Sequence, residues 1–472
     1  MAPLILGLDE GTTGVKAALF DERLRPVREA RRDKVNRHPQ PGWVEQDGEE
    51  VLTAVVEAIA ELLQDPPGDV VACGIDHQGE SVLAWDGETG APLSRIVVWQ
   101  DKRSQEVLDR LSADEREIQA RSGLPFDPYF SAAKLAWLLE HDEQVIAARA
   151  AGRLRMGTVD SFLCDRLGAG FATDPSTASR TQLQAMGSAG FDPWLCERFG
   201  VPLEVLPAIR DTIGDLGVLR HPSWPVELPL RGQTVDQQAA LAGSGCVVPG
   251  RVKATYGTGV FILAHAGDEV PTPAGGLLPT VAWSIAGRLE YAIDGGVFTA
   301  GAVLEWLCRE LGLAPDPPAL GALARGADGS AGARLLPALA GIGAPWWRPE
   351  ARAVLAGLHG GTTRARRCPR RRRRRDRGRR GGAGRGRGRR AAVAGCGGRP
   401  AAGRPARGAD PGRAVAHRRA RALEGVRVGG GRVALAAQAP LAGAGGASAA
   451  SASPGSITRP RSSRSSVRTG PL

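Results

Sequence analysis

The sequence predicts an α/β protein of two related domains facing one another, the second cut short, followed by a tail of different character. Three observations carry this. Residues 3–21, PLILGLDEGTTGVKAALFD, read as strand, tight glycine–threonine turn and strand. The same pattern returns at 251–265, RVKATYGTGVFILAH, roughly 245 residues further on. From residue 364 the composition changes abruptly.

Each element has its own signal. The apolar run 4–8 suits a buried strand, 11–14 the turn and 15–20 the returning strand. Residues 50–64, EVLTAVVEAIAELLQ, carry apolar side chains at helical spacing and predict an amphipathic helix. Residues 69–79 return to strand and loop, and 81–93, SVLAWDGETGAPL, predict a hairpin with a glycine turn. Helices are expected at 133–141 and 299–311. The expected divisions are a first domain at 1–245, a partial second domain at 246–363 and a tail at 364–472.

Charge sharpens the last division. Of the 472 residues, 364–472 hold 29 arginines, no lysine and three acidic residues, a net +26. Residues 1–363 hold 32 basic and 47 acidic residues, a net −15. All ten Trp, nine Phe and three Tyr lie before 364, so the tail lacks the aromatics that fill cores. The first part reads as an acidic cytoplasmic enzyme, and the basic pI belongs to the tail. Its five cysteines are scattered without a CxxC pair, as expected of reduced thiols. The amino terminus shows no signal-peptide pattern, and no run approaches the roughly 18–20 apolar residues of a membrane span.

The two glycine–threonine turns, Asp9 to Thr13 and Tyr256 to Gly259, offer backbone N–H groups and hydroxyls with little side-chain bulk, which is how a loop cradles phosphate oxygens. Asp9 ends a strand and could hold Mg2+ directly or through water, and Lys16 could bring charge to a phosphate. Asp236, in 232-GQTVDQQAALAG-243, opens an apolar helix. Locally it reads equally as a helix cap or as a carboxylate that takes the proton of an attacking hydroxyl.

On these and further stretches the chain resembles the FGGY carbohydrate kinases. The segment 129-YFSAAKLAWLLEH-141 fits the family's first signature at Tyr129, Ser131, Lys134, Leu135, Trp137, Leu138, Glu140 and His141. Also similar are 8-LDEGTTGVKAALFD-21, 41-PGWVEQD-47, 157-GTVDSFL-163, 177-TASRT-181, 232-GQTVDQQAALAG-243, 255-TYGTGVF-261 and 341-GIGAPWW-347. The resemblance spans about residues 4–363. It implies two actin-like, ribonuclease-H-like ATPase domains around a cleft, and ATP- and Mg2+-dependent phosphorylation of a hydroxyl of glycerol or a related polyol or sugar. Carried over by position, Asp9 is the Mg2+-associated aspartate, with Thr12, Thr13 and Lys16 in the first phosphate loop. Gly257 and Thr258 form the second phosphate loop, and Gly301 contacts the nucleotide. Asp236 is the catalytic base. Glu80, Trp99, Tyr129, Asp236, Gln237 and Phe261 line the acceptor pocket. A small-molecule acceptor and ATP are the implied partners, with no membrane; a homo-oligomer is compatible with this picture.

One position departs from the pattern. Members that phosphorylate glycerol usually read Asn-Gln-Arg-Glu before the acceptor glutamate, and this chain reads 77-HQGE-80. Glycine at 79 supplies none of the directional donors of an arginine. The expected consequence is a roomier, donor-poor pocket, suited to a longer polyol or to a ketose of the xylulose type.

The tail breaks a motif. The family's second signature begins near Gly357-Leu358 and calls, after a short spacer, for a polar residue and an apolar helix. Here 366-RRCPRRRRRR-375 stands instead. The block could serve as an arm for nucleic acid, as a disordered appendage, or as the product of a changed reading frame. Arg, Gly, Ala and Pro make up 81 of the 109 tail residues, and these are the amino acids with codons built wholly from G and C. That mixture, starting inside a motif, points to a frame change near 364. The expected result is a disordered tail, no adenosine-embracing turn and a weak or inactive kinase, the intact Asp9 and Asp236 arguing against a pseudokinase by design.

Overall fold

A computed structural model describes residues 2–363 except 258, 274, 328 and 331. The tail, with its expected frame change, disorder and nucleic-acid alternative, lies outside the described residues, as does Thr258.

The opening stretch folds as its pattern requires. Strand β1 (Pro3–Gly11) turns through Thr12 and Thr13 into β2 (Gly14–Phe20), with Asp9 opposite Lys16 and Gly11 opposite Gly14. Gly14 is needed there, since a Cβ would stand 2.8 Å from the Arg32 carbonyl oxygen. Strand β3 (Pro26–Asp33) extends the sheet beyond β2, and β4 (Asp69–His77) runs parallel to β1 on its other edge. Short β5 (Val218–Leu219) and β6 (Leu228–Val235) complete a six-stranded mixed sheet in the order β5-β6-β4-β1-β2-β3.

Helix α1 (Gly48–Leu63) packs on β2 and β3. The Asp47 carboxylate caps it by accepting from the backbone N–H groups of Glu49 and Glu50 at 2.9 and 3.2 Å. Its apolar stripe, Val51, Val55, Ile59 and Leu62, is fully buried, each side chain contributing roughly 1.5–3 kcal/mol before entropy is counted. Helix α2 (Ser131–His141) begins two residues before the expected 133 and is buried along most of its length.

The expected hairpin at 81–93 forms. Gly90 turns with φ +75°, and the Asp86 N–H donates to the Ala91 carbonyl and the Leu93 N–H to the Ala84 carbonyl, each at 2.9 Å, on either side of a Trp85–Pro92 bridge. Pro92 itself has no N–H to give the ladder. Residues Val82–Asp86 also pair along their length with Leu154–Thr158 in a separate four-stranded sheet.

Helix α3 (Asp236–Gly243) follows β6 directly and touches both sheets. The second sheet repeats the opening unit: β7 (Val252–Tyr256) pairs antiparallel with β8 (Val260–Gly267). Strands β9 (Leu278–Ile285) and β10 (Arg288–Val297) follow, giving the order β7-β8-β10-β9, all antiparallel. Helix α4 (Gly301–Arg309) is shorter at both ends than the expected 299–311.

The two sheets differ in one respect. In the first, β1 has neighbours on both edges, with the parallel strands β4 and β6 beyond it. Among the described residues of the second, β7 is the outer strand and no strand runs parallel to it. Apolar side chains stand exposed in this half, including Ile262 at 45%, Val297 at 42%, Val354 at 50% and Leu358 at 46%. The five described cysteines are buried and form no disulfide. No helix among the described residues is long and apolar enough to cross a membrane.

Candidate active site

One cavity of about 440 Å3 gathers nearly every residue singled out from the sequence. Asp9, Thr12, Thr13 and Lys16 reach it from the first hairpin, Gly257 from the second, and Glu80, Trp99, Tyr129, Asp236, Gln237 and Phe261 from the surrounding elements. Gly301 does not line it. That residue opens α4 and donates its backbone N–H to the Gly257 carbonyl at 3.0 Å, one bond behind the second loop.

The first loop is held by a buried polar chain. Gln46 donates to the Thr12 carbonyl at 2.8 Å, and Gln78 donates to Gln46 Oε1 and Glu10 Oε1 at 2.9 and 3.1 Å. Lys34 pairs with Glu10, and burial raises the Glu10 carboxyl above its ordinary range despite that lysine. The Trp99 indole N–H donates to Thr12 Oγ1 at 2.9 Å, tying the acceptor side of the cavity to the phosphate loop. Lys16 sits at the margin, 3.1 Å from Glu29 and about a third exposed. Gly259 completes the second loop; a Cβ there would meet the Val297 carbonyl oxygen at 2.7 Å.

The acceptor side is aromatic and charged. The Trp99 ring meets Tyr129 and Phe261 edge-on at 5.6 and 6.3 Å, and Tyr129 stacks on Phe298 at 5.5 Å. Glu80 adopts a left-handed backbone, φ +59°, which costs a non-glycine residue on the order of 1 kcal/mol and is common where a side chain must be aimed. Burial raises its carboxyl pKa, and Arg180, donating Nε–H to Glu80 Oε1 at 2.6 Å, opposes that rise. Asp236 begins α3, 9% exposed, and accepts from Gln237 Nε2 at 3.1 Å. Val235 holds the cap position of the helix and Asp236 is its first residue.

Arg180, Asp294 and Val235 also line the cavity and were not singled out as site residues. Arg180 had a signal, since it lies in 177-TASRT-181; the other two carried none. The space beside Gly79 is not open as expected. A Cβ built at 79 would lie 3.1 and 3.8 Å from the two γ carbons of Val235, so Val235 occupies the direction that a side chain at 79 would take.

Lys134 supports the site from behind. It is fully buried and donates to the carbonyls of Tyr129 and Phe130 at 2.5 and 3.2 Å, fixing the chain that presents the Tyr129 ring. Burial pushes its pKa down from 10.5 to about 7, against the pull of Glu80, Asp101 and Asp127. Because the folded value lies below the unfolded one, the unfolded chain holds the extra proton between these values, and stability rises with pH across pH 7 to 10.5. Urea unfolding is expected to gain up to about 1.4 kcal/mol per pH unit from this group between pH 7.5 and 9. Lys134→Met should remove that slope, and an unchanged slope would show that Lys134 keeps its proton on folding.

Two α/β sheets closing on a cavity that holds a carboxylate at a helix start and two glycine-rich turns define the actin-like phosphotransferase class. Residues 4–243 match the N-terminal domain of the FGGY family of carbohydrate kinases. Glycerol kinase of Alkalilimnicola ehrlichii is 42% identical over 367 residues, covering 76% of this chain and 74% of its own. That of Stenotrophomonas maltophilia is 40% identical with the same coverage. Among solved structures, Plasmodium falciparum glycerol kinase with ADP superposes with a TM-score of 0.70 at 31% identity, over 77% of this chain and 74% of its own. A xylulose-type kinase from Brucella ovis gives 0.67 at 26%, over 77% and 75%. The chain belongs to the FGGY family of carbohydrate kinases.

Proposed function

We propose that this chain binds ATP with Mg2+ and phosphorylates a hydroxyl of a polyol or sugar. The supporting observation is the convergence of Asp9, both glycine loops, Asp236 and the acceptor residues on one cavity. Asp236 accepts the proton of the acceptor hydroxyl as that oxygen bonds to the γ-phosphorus and the bond to the departing ADP oxygen breaks. Glu80 and Gln237 orient the acceptor, while Trp99, Tyr129 and Phe261 hold its carbon face and exclude water. Thr12, Thr13 and Gly257 face the phosphates, with Gly301 fixing the second loop from behind, and the family resemblance gives Thr258 the same role.

Asp9 is the residue that fits a metal. Among the described residues no cluster of three or more His, Cys, Asp or Glu could hold an ion. Mg2+ suits such a site, because it binds through one or two carboxylates together with phosphate oxygens and water. Bound there, it would neutralise charge on the phosphates.

The acceptor is a polyol or ketose other than glycerol, because the chain places Gly79 and Val235 where an arginine would have supplied donors. ADP release measured with glycerol, erythritol, a pentitol and xylulose tests this. Glycerol preferred by a wide margin would overturn it, despite the glycerol kinases among the relatives.

A further inference from the structure

Residue 79 contributes no donor, and its neighbour Val235 presents only carbon. A hydroxylated acceptor therefore finds its polar partners elsewhere in the cavity. Two lining side chains have bonding capacity to spare. Arg180 and Asp294, 5% and 7% exposed, form an ion pair with Nη1 3.1 Å from Oδ2. The alignment at that distance leaves Arg180 Nη1 without a hydrogen bond, and Asp294 Oδ1 also lacks one. Buried donors and acceptors are normally satisfied, so a donor and an acceptor left over side by side in a ligand cavity mark a place for a group that both donates and accepts. A hydroxyl is such a group.

The pair belongs to the acceptor side of the cavity. Asp236 and Glu80 are near enough for their charges to interact, and one guanidinium joins Glu80, bonded at Arg180 Nε, to Asp294, paired at Nη1. The Arg180 guanidinium lies 5.9 Å from the centre of the Tyr129 ring.

We propose that Arg180 Nη1 and Asp294 Oδ1 bind an acceptor hydroxyl that glycerol lacks, so that the acceptor is a polyol or ketose of more than three carbons. This deepens the kinase reading above and rests on it. The test is titration of the full chain with glycerol, erythritol, xylitol and xylulose, by calorimetry and by thermal shift, in the wild type and in Asp294→Asn. The wild type is expected to bind the longer acceptors at least tenfold more tightly than glycerol. Asp294→Asn should cost them about tenfold while changing glycerol and ADP affinities less than threefold. Asp294→Ser, which removes the carboxylate and its length, should give the same pattern. An equal loss for glycerol and the longer acceptors, no loss for any, or glycerol binding tightest in the wild type overturns the subsite alone. If ADP binds and no acceptor of any length does, the kinase reading falls and the subsite with it.

Discussion

Asp236→Asn is expected to lower kcat by about 10²–10⁴-fold, the usual worth of a positioned general base, while acceptor and ADP affinities stay within about threefold. The amide keeps the shape of the carboxylate and its contact with Gln237, but cannot take a proton from the acceptor hydroxyl. The change is isosteric and leaves the start of α3 as it is, so binding should survive. Turnover is best followed in a chain with its reading frame restored beyond residue 364, and binding in the chain as it stands. A variant that keeps more than about a tenth of the turnover would show that Asp236 orients the acceptor without taking its proton. Loss of acceptor binding together with turnover would show a structural role at the start of α3.

The second large effect concerns the tail. The chain as written should turn over below about 0.1 s−1, against the roughly 1–100 s−1 of working kinases. Its second sheet is antiparallel throughout the described residues, whereas the first carries β4 and β6 in parallel beside β1. Val354 and Leu358 stand about half exposed, and each would contribute roughly 1.5–3 kcal/mol if covered, within a net stability of about 5–15. Residues 364–472 contain no Trp, Phe or Tyr with which to cover them. Translating the coding DNA in its other two frames past codon 364 should recover an apolar helix and an Asp-Gly-Gly turn. Expressing that sequence should restore turnover and raise the melting temperature by at least about 5 °C, since each kcal/mol is worth roughly 2–4 °C in a protein of this size. Normal turnover by the chain as written would refute this, as would two further frames without such elements.

The sequence alone determined the strand–turn–strand units, their repetition and most of the residues that line the cavity. Those signals are local: a period-two apolar run, a glycine turn, a helix stripe beginning at an aspartate. It also marked residue 364, where the composition changes abruptly. Tertiary structure decided what depends on chains meeting from afar. Val235 fills the space beside Gly79 although 156 positions separate them. Asp294, on the second sheet, meets Arg180, which itself holds Glu80 in the turn after β4 of the first. Local sequence left Asp236 open between cap and base; the fold puts Val235 at the cap position and Asp236 on the cavity wall. The hairpin expected at 81–93 formed, and tertiary structure added to it a distant second partner, Leu154–Thr158, that the local sequence does not show. Side-chain type and spacing state what a residue can do, and only the packing of remote segments fixes which partner it does it with.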